Sequence, residues 1–179
     1  GNLDGAYEHL YVAPVGLKNK LLEMIRGEIA KGQEGYICIK ANAITEREIM
    51  DQLSEASQAG VQIQLILRGI CCLRPGIAAR TENVHVTSIV GRYLEHARIY
   101  CFGRGRNAQL FIASADMMTR NLNRRVEIMC PIYDGEVREQ LLWILHTQLG
   151  DNVKASSLLP DGSYCRKVNT LAPCGSKEV

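Results

Sequence analysis

The sequence predicts one α/β domain, built on a mixed β-sheet with helices packed against both faces. Short apolar runs typical of buried strands alternate with segments in which apolar residues recur at the spacing of an amphipathic helix. Glycines end most of these segments. The 179 residues are enough for one hydrophobic core, and an apolar fraction of 46% with 22% charged residues excludes a disordered chain.

The first half of the chain is predicted to alternate strand, helix, strand, helix and strand. Its second helix begins with the pattern of a capping box, Thr45 with Glu48, and ends at Gly60. The strands are short runs of Ile, Leu and Val, which suit a buried sheet. In chain order, the five segments are residues 10–13, 17–29, 36–39, 45–60 and 61–67.

The second half is predicted to hold four strands and one helix. Gly103, Gly105 and Asn107 mark a tight turn, so the second and third of these strands form a hairpin. Asp134 is the predicted cap of the helix, which Gly150 ends. The four strands are residues 84–89, 97–102, 110–113 and 126–132.

The chain beyond the last predicted helix is polar and contains Gly, Ser and Pro. We therefore expect residues 1–150 to form the domain and residues 151–179 to form a tail that is partly irregular and partly mobile. The chain has no internal repeat and no low-complexity segment.

Composition excludes several classes of protein. No apolar run approaches the roughly 18 residues of a membrane span, and the first residues do not have the pattern of a secretory signal. The net charge of +2 is too small to predict nucleic-acid binding on electrostatic grounds. The seven cysteines are odd in number and form no CxxC pair, which argues against the usual zinc sites and for a reduced, cytoplasmic protein. We expect the adjacent Cys71 and Cys72 only to pack in a loop.

The positive charges are unevenly distributed. Six arginines lie between residues 98 and 125. Arginine is the residue best suited to bidentate phosphate contacts, but a solvated basic surface would have the same composition. The sequence leaves both interpretations open at this point.

His96 and Arg98 are the first candidates for chemistry. They are two positions apart at the start of a predicted strand, so their side chains would project to the same face. An imidazole there could exchange a proton or a phosphoryl group while the guanidinium neutralises oxyanion charge. A His-x-Arg pair alone is a weak signal, and the other three histidines have no such neighbour.

The residues that follow strengthen this interpretation. Ser114, Asp116, Arg120, Arg125 and Glu127 have a spacing that resembles the phospholipase D-like phosphotransferases, which carry His-x-Lys and then Ser-x-Asn-x3-Arg-x4-Asn-x-Glu. Here an arginine replaces the lysine, and Asp116 and Arg125 replace the two asparagines. The family's later aspartate is a glycine at position 103, which argues against a simple phosphodiesterase. The resemblance implies a metal-free phosphate grip in which two half-sites face each other.

A more specific resemblance is to the polyphosphate kinases, and it runs from about residue 11 to residue 166. Five blocks carry it, and the third of them is highly specific. They are IKAN at 39–42, ASQAGV at 56–61, LRGICCLRPG at 67–76, SIVGRYLEH at 88–96 and SADMMTRNL at 114–122.

This resemblance implies that residues 1–150 are a C-terminal catalytic domain with half of a phospholipase D-like fold. The parent enzyme would transfer the terminal phosphate of ATP reversibly to polyphosphate through a phosphohistidine that lies outside this chain. Arg68 and His96 would contact the ATP phosphates, with His96 as a general acid or a phosphate-orienting group. Arg68 also follows a predicted strand directly, at the carboxyl edge where open α/β sheets collect ligands.

The same resemblance implies further residues and partners. Arg98, Ser114, Arg125 and Glu127 would support the phosphate site, and Glu127 would either orient a histidine or pair with Arg125. Magnesium would arrive with ATP and be held mostly outside this chain, which has too few clustered carboxylates for a cage. The expected partners are ATP, ADP, polyphosphate and the preceding domains of the same polypeptide, in a homo-oligomer. Three more arginines would either line a path for the polyanion or lie on the surface; these are Arg74, Arg92 and Arg120.

Two alternatives remain open. The chain could be a self-contained phospholipase D-like phosphodiesterase that dimerises and uses His96 as its nucleophile. It could also be a non-catalytic module that binds nucleotide or polyphosphate. The main interpretation predicts that the chain alone is inactive, because it would hold only half of a site.

Overall fold

A nine-stranded mixed sheet organises the part of the chain that the structure describes, residues 9–167 of a computed structural model. The strands are β1 (Tyr11–Val12), β2 (Tyr36–Lys40), β3 (Gln62–Leu67), β4 (Val84–Ser88), β5 (Ile99–Phe102), β6 (Gln109–Ala113), β7 (Ile128–Pro131), β8 (Ser156–Leu158) and β9 (Tyr164–Arg166). The helices are α1 (Gly16–Ile29), α2 (Arg47–Gln58), α3 (Thr119–Arg124) and α4 (Gly135–Leu149).

The order and direction of the strands bring the ends of several strands to one edge of the sheet. The sheet runs β1-β7-β6-β5-β2-β3-β4-β8-β9. Strands β2, β3 and β4 are parallel, β5 is antiparallel to β2, and β6 and β7 continue as an antiparallel meander. Therefore β2, β3, β4 and β6 end at the same edge at which β5 and β7 begin. We call this the carboxyl edge.

Helices cover both faces of the sheet, as the sequence predicted. The side chains of β2 alternate between the two faces, because successive residues of a strand point in opposite directions. Ile37 and Ile39 are buried with α1 and α2 in the larger core, whereas Cys38 is buried in a smaller core with Leu145 of α4. Burial of such side chains contributes roughly 1.5–3 kcal/mol each, so the two cores fix the sheet from both sides.

The predicted N-terminal cap is confirmed at α4 and wrong at α2, whereas α2 does end just before Gly60, as predicted. Asp134 caps α4 by accepting a hydrogen bond from the Val137 amide at 2.9 Å. The capping box at Thr45 and Glu48 does not form, because α2 begins only at Arg47 without a side-chain cap. Glu48 pairs with Lys18 at 2.8 Å, and the Thr45 amide donates to the Met117 carbonyl instead. Tertiary contacts thus take both partners of the predicted box.

Three further features differ from the sequence prediction. The short helix α3 was not predicted, since a single apolar residue, Leu122, among its six residues gives no periodicity. The expected irregular tail contains β8 and β9, which extend the sheet from β4; residues 168–179 lie outside the described part. Strand β5 begins at Ile99, so His96 and Arg98 precede the strand and do not share a strand face.

Gly35, at the turn before β2, provides a test of the packing. A β-carbon there would lie 2.6 Å from the Glu28 carbonyl oxygen and 2.9 Å from Val61 Cγ2. We expect Gly35→Ala to lower the free energy of unfolding by about 1–3 kcal/mol, because backbone must move to accept the methyl group.

Gly27 is the matched control for this prediction. It lies within α1, and a β-carbon there would meet no atom within 4 Å. Gly27→Ala should therefore raise the free energy of unfolding by up to about 1 kcal/mol through helix propensity. Urea denaturation of both variants is the measurement, and equal effects at the two positions would contradict the packing described here.

Candidate functional site

Polar side chains from five chain segments converge at the carboxyl edge. Asn42 follows β2, Arg68 follows β3 and Asp116 follows β6, while Arg98 directly precedes β5 and Glu127 directly precedes β7. The topology alone dictates this convergence, because strands of opposite direction present opposite ends at one edge. The edge therefore unites residues up to 85 positions apart in the sequence (42 and 127).

Main-chain hydrogen bonds join these segments to one another. The Ile44 amide donates to the Ile70 carbonyl at 2.9 Å, and the Ile44 carbonyl accepts from the Cys72 amide at 3.0 Å. The Thr45 amide donates to the Met117 carbonyl at 2.9 Å. The loops after β2, β3 and β6 are thereby fixed relative to one another. The Cys71 side chain packs against the core as expected, whereas Cys72 is exposed and contributes only its main-chain amide.

Asp116 is the centre of a hydrogen-bonded network at this edge. Its carboxylate is almost buried and forms an ion pair with Arg98, whose Nη2 lies 2.9 Å from Oδ2. The main-chain N–H of Asn42 donates to Oδ1 at 2.7 Å. Burial alone would raise the pKa of Asp116, but the hydrogen bonds from Arg98 and Asn42 outweigh it, and the pKa lies below its ordinary value.

Arg68 is held at one end and open at the other. Its Nε donates to Asn42 Oδ1 at 2.6 Å. Within residues 9–167, its two terminal nitrogens form no hydrogen bond and the side chain forms no ion pair. The planar end of the guanidinium is therefore free to bind an oxyanion in a bidentate manner.

His96 is exposed in the extended segment before β5. The sequence argument that it shares a strand face with Arg98 is wrong, since the strand begins later. The two residues are linked in another way, because Arg98 Nη1 donates to the His96 carbonyl oxygen at 2.8 Å. The His96 side chain lines an open cavity of about 490 Å³, whose other wall is the apolar side of α4 formed by Leu141 and Ile144.

Lys40 and Glu95 form a second ion pair beside the same cavity. Lys40 ends β2 and is almost buried, and its Nζ lies 2.7 Å from Glu95 Oε2. The hydrogen bond from Lys40 and the charges of Lys40 and Arg68 hold the pKa of Glu95 below its ordinary value despite some burial. Gln148 of α4 also donates to Glu95, at 3.4 Å. This pair anchors the residue next to His96 to the sheet.

Ser114 and Glu127 meet, as their predicted supporting role requires, but they form a separate cluster. The Ser114 hydroxyl donates to Glu127 Oε2 and accepts from the Ile128 amide at 3.1 Å. The other carboxylate oxygen of Glu127 accepts from Asn121 Nδ2 at 2.9 Å. Glu127 is thus bonded neither to His96 nor to Arg125, whose exposed guanidinium forms no hydrogen bond or ion pair with the described residues.

The sequence cluster of six arginines is divided by the fold. Arg98 lies at the carboxyl edge, whereas Arg104 lies past the other end of β5, with its guanidinium 4.2 Å from the centre of the Tyr36 ring. The remaining arginines of the polyanion hypothesis are exposed on the surface; these are Arg74, Arg92 and Arg120.

Four residues at this edge were not recognised as site residues from the sequence. Asn42 and Lys40 lie in one of the blocks that carried the resemblance, and Glu95 lies in another. Only the pairing of chemically complementary residues across the sheet shows their role, and the sequence contains no signal for that pairing. The fourth is Gln148, whose buried Oε1 has no hydrogen-bond partner among the described residues.

The carboxylates at the edge do not form a metal cage. No group of three or more potential metal ligands comes together among residues 9–167. The oxygens of Asp116 are bonded to Arg98 and Asn42, and those of Glu127 to Ser114 and Asn121. Within the described part of the chain, the carboxylates at this edge therefore do not offer a magnesium ion a cage of protein ligands.

The lowered pKa of Asp116 gives a testable pH dependence. A carboxylate with a folded-state pKa below its unfolded value stabilises the fold above the unfolded pKa, and this contribution is lost as the pH falls through the folded value. We expect Asp116→Asn to lower the free energy of unfolding at pH 7 and the deficit relative to wild type to shrink below about pH 4. Urea denaturation at several pH values measures this, and a deficit that stays constant down to pH 2.5 would contradict it.

Comparisons with known proteins agree with the resemblance. The family model described as Polyphosphate kinase C-terminal domain 2 matches residues 10–175. The polyphosphate kinase of Helicobacter pylori (strain ATCC 700392 / 26695) is 45% identical over 175 residues, which are 98% of this chain and 26% of the relative. The polyphosphate kinase of Bacillus anthracis is 43% identical over 176 residues, 97% of this chain and 24% of the relative.

Solved structures show the same relationship. The polyphosphate kinase of Porphyromonas gingivalis matches with a TM-score of 0.87 and 39% identity, over 92% of this chain and 26% of that one. Nuc from Salmonella typhimurium, a phospholipase D family member, matches with a TM-score of 0.61 over 78% of this chain and 91% of that one, but at 14% identity it shows the fold alone. This chain spans about a quarter of the length of the polyphosphate kinases that it matches. The chain belongs to the polyphosphate kinase C-terminal domain family and has a phospholipase D-like α/β fold.

Proposed function

We propose that this chain is the C-terminal part of a longer polyphosphate kinase that transfers the terminal phosphate of ATP reversibly to polyphosphate. The observation that carries the proposal is the open guanidinium of Arg68 at the edge that also presents the exposed His96. In this proposal the domain binds the phosphates of ATP, and the covalent phosphohistidine forms on a residue outside this chain.

The distribution of charge supports Arg68 as the phosphate ligand. Three cations lie next to the central strands β2, β3 and β5 at this edge, and two of them are already paired, Lys40 with Glu95 and Arg98 with Asp116. The charge of Arg68 is not compensated by a direct ion pair within residues 9–167. A phosphate would supply that compensation, and a half-buried guanidinium would bind it more strongly than one in bulk water.

His96 would act on the phosphate that Arg68 holds. Phosphoryl transfer depends mostly on positioning and on neutralising charge at the transferring group, so a cation and a hydrogen-bond donor are the parts it requires. The exposed imidazole of His96 can donate a hydrogen bond or a proton to a phosphate oxygen. Ser114 and Glu127 would support this edge through the start of β7, and Arg98 through its bond to the His96 carbonyl.

Magnesium and the remaining partners would come from outside the chain. Because the carboxylates at the edge are occupied by protein donors, magnesium would enter with ATP and be held by groups that this chain does not contain. The relatives' greater length supports the proposal that preceding domains complete the site, in a homo-oligomer.

A cytoplasmic location also remains part of the proposal. The described cysteines are free thiols, as expected in a reducing compartment. None of the helices within residues 9–167 has the length and hydrophobicity needed to cross a bilayer.

The alternative of a self-contained phosphodiesterase has less support. In the phospholipase D pattern the residues at positions 98 and 116 would face the phosphate, but here Arg98 and Asp116 bind each other. Position 103, where that pattern has an aspartate, is a glycine with φ of +85°, a conformation that L-residues rarely adopt. The third alternative, a module that only binds nucleotide or polyphosphate, describes how this chain would behave alone.

The proposal predicts large effects of substitutions at His96 and Arg68. In the polyphosphate kinase that contains this domain, we expect His96→Ala to lower kcat by about 100-fold or more, and Arg68→Ala to raise the KM for ATP and lower kcat/KM by about 100-fold or more. Steady-state assays of ATP-dependent polyphosphate synthesis measure both. Arg47→Ala is the control, because Arg47 is a fully solvated arginine of α2, and it should leave activity unchanged.

A result within threefold of wild type for His96→Ala would contradict its role, since that corresponds to less than about 1 kcal/mol of barrier.

The proposal also predicts that this chain alone does not turn over. Incubated with ATP, magnesium and polyphosphate, it should produce no ADP and no longer polymer, because it contributes only half of the site. Incubated with a phosphodiester, it should release no product. Hydrolysis that is lost in His96→Ala would instead favour the phosphodiesterase.

A further inference from the structure

We propose that Asp116 is a positioning residue of the phosphate site, whose carboxylate orients Arg68 through Asn42 and His96 through Arg98. The inference deepens the proposed function and rests on it, because it explains how the two residues assigned to phosphate are held. Neither of them touches Asp116 directly; each is one residue removed from it.

Four hydrogen-bond donors meet at the carboxylate of Asp116. Its Oδ1 accepts from the main-chain nitrogen of Asn42 at 2.7 Å and from Arg98 Nε at 3.2 Å. Its Oδ2 accepts from Asn42 Nδ2 at 3.1 Å and from Arg98 Nη2 at 2.9 Å. All four partners are donors, so only a side chain with two acceptor oxygens satisfies them. An asparagine would present its own NH₂ group to two of these donors.

Asp116 acts on Arg68 through the side-chain amide of Asn42. An asparagine amide has a donor end and an acceptor end, and Asp116 binds the donor end of Asn42 at Nδ2. The acceptor end, Oδ1, is therefore left to face Arg68, where it receives the Nε hydrogen at 2.6 Å. If the amide were reversed, an NH₂ group would face the Arg68 Nε–H. Asp116 thus fixes the orientation of Asn42, and Asn42 binds only Nε of Arg68, which leaves the two terminal nitrogens available to a ligand.

Asp116 acts on His96 through the guanidinium of Arg98. Two nitrogens of Arg98, Nε and Nη2, are bound to Asp116, which fixes the plane of that guanidinium. Its remaining nitrogen, Nη1, then donates to the His96 carbonyl oxygen at 2.8 Å. His96 lies outside the strands, and no main-chain hydrogen bond joins it to the described residues. The Arg98 bond is therefore a direct restraint on its position.

Because Arg98 and Asp116 bind each other, positions 98 and 116 have a role different from the one that the phospholipase D pattern suggests. With lysine and asparagine, both side chains could contact phosphate, whereas arginine and aspartate here satisfy each other. Arg68 then binds the phosphate, and the Asp116–Arg98 ion pair fixes the position of Arg68 relative to His96. The consequence is an energetic coupling between Asp116 and Arg68 that a residue with only a structural role would not have.

Asp116→Asn in the polyphosphate kinase that contains this domain tests the proposal. We expect the KM for ATP to rise and kcat to fall, each by about fivefold or more, because both phosphate-site residues lose their restraint. In an Arg68→Ala background, the same substitution should change the KM for ATP by less than about twofold, since no guanidinium is left to orient.

Two further variants keep the test decisive. Glu28→Gln is the matched control: Glu28 is a buried carboxylate that also accepts from a main-chain amide and a cation, Tyr36 N at 3.0 Å and Lys31 Nζ at 2.6 Å, but at the opposite edge. It should reduce stability and leave kcat and the KM for ATP unchanged. If Asp116→Asn does not fold, as judged by circular dichroism, Asn42→Ala keeps the Asp116–Arg98 ion pair and should raise the KM for ATP with kcat changed by less than about twofold.

The outcomes separate this inference from the proposed function. If Arg68→Ala and His96→Ala both retain activity, the proposed function fails and the positioning role fails with it. If those variants lose activity while Asp116→Asn and Asn42→Ala stay within twofold of wild type, only the positioning role is overturned. Effects of Asp116→Asn and Arg68→Ala on the KM for ATP that simply add would also overturn it, by showing that Asp116 acts on the fold alone.

Discussion

The buried ion pair between Asp116 and Arg98 is the interaction on which the organisation of this site depends. Removing two charges from water carries a desolvation cost that an isolated pair does not reliably recover. Here the carboxylate also accepts two hydrogen bonds from Asn42, and the arginine donates one more to the His96 carbonyl. These hydrogen bonds compensate for the desolvation of the pair, and they fix the segments after β2, before β5 and after β6 relative to one another.

In that geometry, the cations at the edge differ in the kind of partner that binds them. Lys40 and Arg98 are neutralised by carboxylates and hold segments of chain, whereas Arg68 is bound by a neutral amide and forms no ion pair with the described residues. An anion that approaches the edge thus meets a cation without first displacing a carboxylate. The apolar side of α4 forms the opposite wall of the cavity beside His96 and shields part of it from solvent.

The sequence predicted the elements of the fold well because periodicity and end signals are local. It failed where tertiary contacts compete: Lys18 takes Glu48 from the predicted capping box, and β8 and β9 form only because β4 offers an open edge. Arg68 and His96 were proposed as site residues from specific blocks of resemblance. The hydrogen bonds that hold them could not be predicted, because Asn42 and Asp116 are 74 residues apart and only the sheet brings them together.

The most direct test of the central claim is a structure of the polyphosphate kinase that contains this domain, bound to a non-hydrolysable ATP analogue. The account predicts phosphate oxygens within hydrogen-bond distance of the terminal nitrogens of Arg68 and of the His96 ring, with the Asp116–Arg98 pair intact. Phosphates bound to Arg98 after that pair had opened, or bound away from the carboxyl edge, would contradict it.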